Sequence, residues 1–548
     1  MKNLWLKIIT LITLSSASYG QVWHTLLTAD SNGYNEGVST TKTDGNSLLF
    51  AGNFRTDFSL AGIDLVGNSN YRGFWGKGMV NGQIPWLKTM HSSRDLMISK
   101  ISAYKEYVAV SGYYSDTLFI ENDTMYNDHM MGIFVAIYDT SGNYMYTINP
   151  DVESANISDI KFDNDGFLVV TGDYYKTFNF DNYSFSSPLA FHLFLFKYDV
   201  IQNELMWLFA VTEGTNTLGS GLDIDSENNI YIIGSYGDDV LFDDVSLINN
   251  NSNHNLFTAK FNQNGNLYWA ESIIGLSQVH GTKIAVDKHG DVYFTGDFQS
   301  SVDSVGSGVL TASGFSNALV GKYNTDGELI WMQSIGGSDQ DKGVQVELDS
   351  LGAPVFLISS GAGAYIGDIS VEPFGFTEPL IIKLHPNDGT YIWHQRITAQ
   401  ENIGTVNGLD MTILENQICI TGRNRNEMYF QNQSYTAPNN RDFFIAVITD
   451  TLYVVIEEVD DDNLSLGEHI GHSPIVIYPN PSSNSFTFKN FDGNHITEII
   501  LFDTSGKIVY KDSPNVSEFM LSENLSTGMY YCEIKVLNTI QTHKIVKL

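Results

Sequence analysis

One unit is written seven times along this chain, and that period limits its fold more than any other feature. Short apolar strands ending in a small residue recur with landmarks at Gly52, Gly112, Gly172, Gly234, Gly296, Ser359 and Gly422. Their spacings are 60, 60, 62, 62, 63 and 63 residues. A second landmark follows 34–35 residues behind the first: Trp86, Tyr146, Trp207, Trp269, Trp331 and Trp393, at intervals of 60, 61, 62, 62 and 62. Two independent markers that share one period identify a structural repeat.

Each repeat has the same internal grammar. In the clearest copy a strand at Lys283–Asp287 meets a turn at Lys288-His289-Gly290, and a second strand runs to Gly296. A polar stretch with a short strand near Val309-Leu310 follows. A third strand (Ala318–Tyr323), a turn at Asn324-Thr325-Asp326-Gly327 and a fourth strand through Trp331 complete the unit. Four short strands, turn residues and no amphipathic helix predict an all-β chain, a seven-bladed β-propeller over residues 21–455. WD40 blades take about 40–45 residues, so the excess here is expected in long loops.

Composition agrees with a packed, exported protein. Sixty-three Asp+Glu against 29 Lys+Arg leave a net charge of −34, which disfavours nucleic acids and anionic membranes, where clustered Lys and Arg are needed. Lys2 and Lys7, the apolar run Ile8–Leu14 and the small residues up to Gly20 have the order of a secretory signal. Cleavage is expected between Gly20 and Gln21. The apolar run is too short to cross a bilayer, which takes about 20 residues, and nothing later is longer, so no transmembrane helix is expected. Two cysteines, Cys419 and Cys532, fall in different predicted domains and are expected as free buried thiols.

The chain changes character at the acidic run Glu457-Glu458-Val459-Asp460-Asp461-Asp462, read as a linker over 456–472. Beyond it, residues 473–548 balance six lysines against seven acids and show about seven short alternating strands, a small β-sandwich. This tail opens on Tyr478-Pro479-Asn480-Pro481, turns at Gly506, continues through Gly528 and Tyr530, and closes on Lys544 and Lys547. In that order the motifs resemble the type A C-terminal sorting domain of type IX secretion. The resemblance implies that the type IX machinery is the tail's partner. It also implies delivery through the periplasm to the surface of a Gram-negative bacterium, or release from it. The repeat phrase Asp-x-x-Gly-x-x-Tyr-x-x-Gly followed by Lys-Tyr-Asn-x-x-Gly-x-x-x-Trp, best kept in 284–331, is similar to the seven-bladed propeller repeat (SBBP) of exported bacterial proteins.

Candidate chemistry is sparse. Asp163, Asp225, Asp287 and Asp349 recur in one slot, with Gly or Asn three residues later. Carboxylates so placed would suit a calcium ring, the one cofactor worth naming, but Asp and Gly at those positions are also the signature of a type I turn, which is preferred. The recurrent Trp series, with Tyr146 as its degenerate member, is expected to pack blade against blade rather than to stack on glycans. The landmark glycines are expected to permit a bulge or close backbone approach. No phosphate-loop, zinc-protease, nucleophile-elbow or Cys-x-x-Cys motif occurs. A binding or adhesion module for an extracellular glycan or protein is therefore the leading reading. A hydrolase or lyase acting on polysaccharide and a structural envelope component are the alternatives. Trp23 stands 63 residues before Trp86, in phase with the series, so its strand is expected to complete the seventh blade.

Overall fold

A computed structural model describes residues 21–450 and 475–547 apart from short internal stretches, the longest at 479–485. Among these residues every regular element is a β-strand, so the protein is all-β. No described helix is long and apolar enough to cross a membrane. The chain parts into two compact units between Ile448 and Thr449. The predicted signal with Gly20, the linker 456–472, Pro479, Asn480, Pro481 and Gly506 lie outside the described residues.

In the larger unit the strands group in antiparallel fours. The first set is Asn35–Lys42, Leu48–Phe54, Arg72–Gly78 and Trp86–Ser92. The next five begin at Leu96, Asp151, Leu218, Val279 and Lys342 and repeat the same order. The seventh is composite. Thr405–Leu414, Gln417–Arg425 and Asp442–Asp450 are joined by Gln21–Thr28, which lies beside Asp442–Asp450. The side chain of Trp23 is outside the described residues. The first strand of each set lies against the first strand of the next, and Asn35–Lys42 lies against Thr405–Leu414.

The extra length of each repeat is not irregular loop. A two-stranded hairpin is inserted between the second and third strands, as at Phe58–Leu65, Thr117–Tyr126, Val240–Leu247, Ser301–Thr311, Ala364–Val371 and Glu427–Thr436. Several reach back to the preceding set. Thr117–Ile120 pairs with Trp86–Ser92, and Ala364–Ile366 pairs with Leu329–Gly336. The insertion replaces unpaired backbone with ladder hydrogen bonds, which is why the repeat can be long without exposing polar main chain.

Central strands are buried on both faces. Ile230–Tyr236, Val292–Phe298 and Asn317–Tyr323 are buried at every position. Such strands read as continuous apolar runs because side chains on both faces meet a neighbouring sheet. Among its described residues the smaller unit has seven strands in two sheets, Ile475–Tyr478/Phe486–Asn490/Glu518–Leu521 and Ile508–Asp512/Ile496–Asp503/Gly528–Val536/Thr539–Lys547. Phe486, Phe488 and Leu521 from one sheet share a buried cluster with Ile499, Leu501, Tyr530, Cys532 and Ile534 from the other. Lys544 and Lys547 stand on the final strand, opposite Tyr531 and Gly528. Cys419 and Cys532 are both free and buried.

Candidate functional site

The first strand of every set carries the same irregularity. Its pairing with the second strand slips by one residue after Gly37, Ile98, Ile157, Gly219, Gly281, Gly343 and Gly408. Opposite six of these bulges stand the landmark glycines. A Cβ on Gly52, Gly112, Gly172, Gly234, Gly296 or Gly422 would lie 1.9–2.2 Å from a carbonyl oxygen of the bulged strand, so only glycine fits. In the sixth set the position opposite Gly343 is Ile358, one residue before the Ser359 landmark taken from the sequence.

A bulge re-aims the side chain that follows it. The residues following the seven bulges are Ser39, Lys100, Asp159, Gly221, Lys283, Gln345 and Asp410. Two residues further on come Thr41, Ser102, Lys161, Asp223, Ala285, Glu347 and Thr412. All of them except Gly221 line one cavity of about 90 Å³ at the centre of the unit. Sequence reading did not single out any of these residues, because no local motif marks them.

Their charges answer one another across the cavity. Lys283 Nζ lies 2.6 Å from Asp159 Oδ2, reaching past the fourth set, where Gly221 leaves room. A Cβ on Gly221 would lie 3.1 Å from the Lys283 Cδ. Lys100 faces Asp410 at 3.9 Å past the small Ser39, whose hydroxyl donates to Asp410 at 2.9 Å. The Gln345 amide and the Thr40 main-chain N–H also donate to Asp410, and the Leu222 N–H donates to Asp159. Lys161 pairs with Asp223, which also accepts from the Val286 N–H. Burial alone would raise the Asp159 carboxyl, but Lys283 and Lys100 beside it hold it below the usual carboxylate range. Glu347 is the exception: burial pushes it up to about 7 against the pull of Lys161. Four carboxylates from four sets thus converge, three of them bound to lysines. The space left has room for several waters.

The recurrent acids of the turns do other work. Asp163 Oδ1 accepts the N–H groups of Asp165 and Phe167, Asp225 those of Glu227 and Asn229, and Asp287 those of His289 and Asp291. Asp349 accepts from Leu351 and Ala353 in the same way. The third-strand lysines complete the arrangement, with Lys197 at 2.6 Å from Asp163 and Lys383 at 2.6 Å from Asp349. Among the described residues no group of three or more His, Cys, Asp or Glu side chains is placed to hold a metal ion.

The aromatic series sits between sets. The Trp207, Trp269 and Trp331 indoles donate to the carbonyls of Gln263, Thr325 and Pro386, each in the third-to-fourth-strand turn of the following set. Gly265, Gly327 and Gly389 lie under those rings at φ of 82°, 86° and 72°. Tyr146 reaches the Val200 carbonyl with its hydroxyl, and Trp86 packs edge-on against Trp75. Trp393 is fully buried, but its Nε1 finds no hydrogen-bond partner among the described residues. The seventh set draws its fourth strand from Gln21–Thr28, so no turn joins its third strand to its fourth to supply the carbonyl.

Residues 476–548 match the family model of the secretion system C-terminal sorting domain. The tail is a type IX sorting domain. It marks the protein as cargo for export to the cell surface or the medium. No curated protein matches the chain in sequence. Among solved structures, the chain is similar to PorZ, a surface component of the type IX secretion system of Porphyromonas gingivalis. The identity is 11% and the TM-score 0.32, over 92% of this chain and 69% of that one. It is similar to an ulvan lyase of polysaccharide lyase family 25 at 8% identity and TM-score 0.41, over 77% of this chain and 96% of the other. Trypanosoma rangeli sialidase aligns at 8% identity and TM-score 0.29, over 85% and 86%. Similarity this low carries no argument about activity or ligand.

Proposed function

We propose that residues 21–455 form a seven-bladed β-propeller of the exported repeat type, made with a signal peptide cleaved after Gly20 and delivered by its β-sandwich tail. The propeller serves as a surface-displayed or secreted binding module. The observation that carries binding over hydrolysis is the state of the central carboxylates. Asp159, Asp223 and Asp410 are bound to Lys283, Lys161 and Lys100, which leaves none of the three free as an acid or base. A ligand is left with the rims, where connecting loops stand.

Two measurements test this. Deleting 473–548 should leave folded protein in the periplasm and abolish surface delivery; delivery at normal yield would overturn the export assignment. Mature protein beginning at Gln21 should bind intact cells or a glycan array without cleaving polysaccharides. Failure to bind anything would favour a structural envelope component. One observation favours a hydrolase or lyase instead: Glu347 has the raised carboxyl a general acid needs. Polysaccharide cleavage that disappears in Glu347→Gln would establish that reading.

A further inference from the structure

Arginine is distributed very unevenly in this protein. The chain has seven, at 55, 72, 94, 396, 423, 425 and 441, and none between 95 and 395. All seven belong to the sixth, seventh and first sets or to the connection leaving the first. These sets are consecutive, because Lys342–Leu348, Thr405–Leu414 and Asn35–Lys42 lie side by side. All seven also lie at one edge. Arg55, Arg423 and Arg425 are at or just past the ends of second strands, and Arg72 and Arg441 at the starts of third strands. Arg94 and Arg396 are at the ends of fourth strands. In antiparallel sets these ends coincide. The same edge of the third to fifth sets carries Asp151, Glu153, Asp238 and Asp339 and no arginine.

Part of this group is structural. Arg423 pairs with Glu36 across the junction of the seventh and first sets, and Arg396 lies 3.6 Å from Glu378. Arg94 lies 4.0 Å from Asp116. Arg55, Arg425 and Arg441 are exposed and make no ion pair among the described residues. Two of them are held in place by aromatic rings. Arg441 lies 5.2 Å over Tyr34, and Tyr34 meets Tyr71 edge-on at 5.2 Å. Arg55 lies 4.8 Å over Tyr71. Guanidinium, ring, ring and guanidinium form a continuous ladder across the junction. Stacking, with the Arg55 Nε–H donating to the Ser69 carbonyl at 2.8 Å, holds these guanidinium groups at the surface, where their remaining N–H donors can meet an oxyanion.

Resting on the reading of this protein as an exported binding module, we propose that this arginine–tyrosine sector binds an acidic polysaccharide bearing carboxylate or sulfate groups. In a protein of net charge −34, exposed and unpaired arginines confined to one sector form a local exception to the repulsion that keeps anions away. A single polysaccharide chain can follow that sector. A flat anionic bilayer would also face the acidic remainder of the same edge, so the chain is favoured over the membrane.

The test uses the mature full-length protein with polygalacturonate, dextran sulfate, neutral dextran and phosphatidylglycerol vesicles as probes. Binding to one or both acidic polymers and not to dextran is expected, weakening at least tenfold between about 50 and about 500 mM NaCl. Arg55→Gln with Arg441→Gln should weaken it about tenfold or more, whereas Lys288→Gln, at a first-to-second-strand turn on the opposite edge, should leave it unchanged. Unaltered binding by the double arginine variant, or preference for the vesicles, would overturn the proposal. Binding of neutral glycans or of cells without acidic polymers would sink this inference and leave the binding-module reading intact. Binding to nothing would remove both.

Discussion

On their fourth strands, the third, fourth and fifth sets place Trp207, Trp269 and Trp331 in one slot, and each makes the same bond to the next set. On their first strands the position after the bulge holds Ser39, Lys100, Asp159, Gly221, Lys283, Gln345 and Asp410, five residue types in seven places. The backbone is the same in both cases, down to the bulge. What differs is the company each slot keeps. A fourth-strand side chain meets its own set and the following one, so one good solution can be copied. A first-strand side chain points at the axis and meets the others, so seven copies of one charge would repel, and only a complementary set is stable.

If that contrast is right, removing one axial charge should cost most. Lys283→Met leaves Asp159 buried without its cation and should destabilise the larger unit by about 3–5 kcal/mol in chemical denaturation. Adding Asp159→Asn to the same chain should recover most of the loss. Equal costs for the single and double variants would show that the pair does not hold the axis together.

Glu347 sharpens the comparison through pH. Its raised carboxyl keeps a proton in the folded state that the unfolded chain releases near the ordinary value of 4.5. Stability from this group is therefore complete below about pH 4.5 and falls as pH rises through about 7. Glu347→Gln should lose that fall and become more stable than wild type above neutrality by roughly 1–3 kcal/mol. Parallel stability curves for the two proteins would mean that Glu347 titrates normally.

The smallest effect belongs to the copied slot. Trp331→Phe keeps an aromatic ring but loses the indole bond to Pro386, and should cost about 1–2 kcal/mol. The equivalent change at Trp393, which has no such bond among the described residues, should lose only the packing contribution. Identical costs at the two positions would show that the carbonyl bond contributes nothing.

Much of the architecture was legible beforehand because it is local. The Asp-x-x-Gly turns, the four-strand grammar and the glycine landmarks each depend on neighbours a few residues away or across one hairpin. The inserted hairpins are half visible in the sequence, as the strand near Val309, and read as loops because three-residue strands barely register as alternation. Ser359 was set one residue late because the sixth set has Ile358 where the others have glycine. The arginine sector was present in the linear sequence as two clusters, 55–94 and 396–441. Without the knowledge that the last set meets the first, however, they read as two unrelated basic stretches.

By itself, the sequence determined the repeat, its strands and turns, and the sorting tail, since each is encoded by spacing and short motifs that act within a single unit. Which side chains meet across the cavity and which arginines share an edge follow from how the sets pack. Lys283 and Asp159 are 124 residues apart, and Asn35 and Asp442 are 407 apart, yet both pairs are within hydrogen-bonding distance. Contacts of that span arise because the first strand of each set lies against the next and Asn35–Lys42 lies against Thr405–Leu414. The pairing across the cavity depends on where each bulge aims its side chain, which no single repeat specifies.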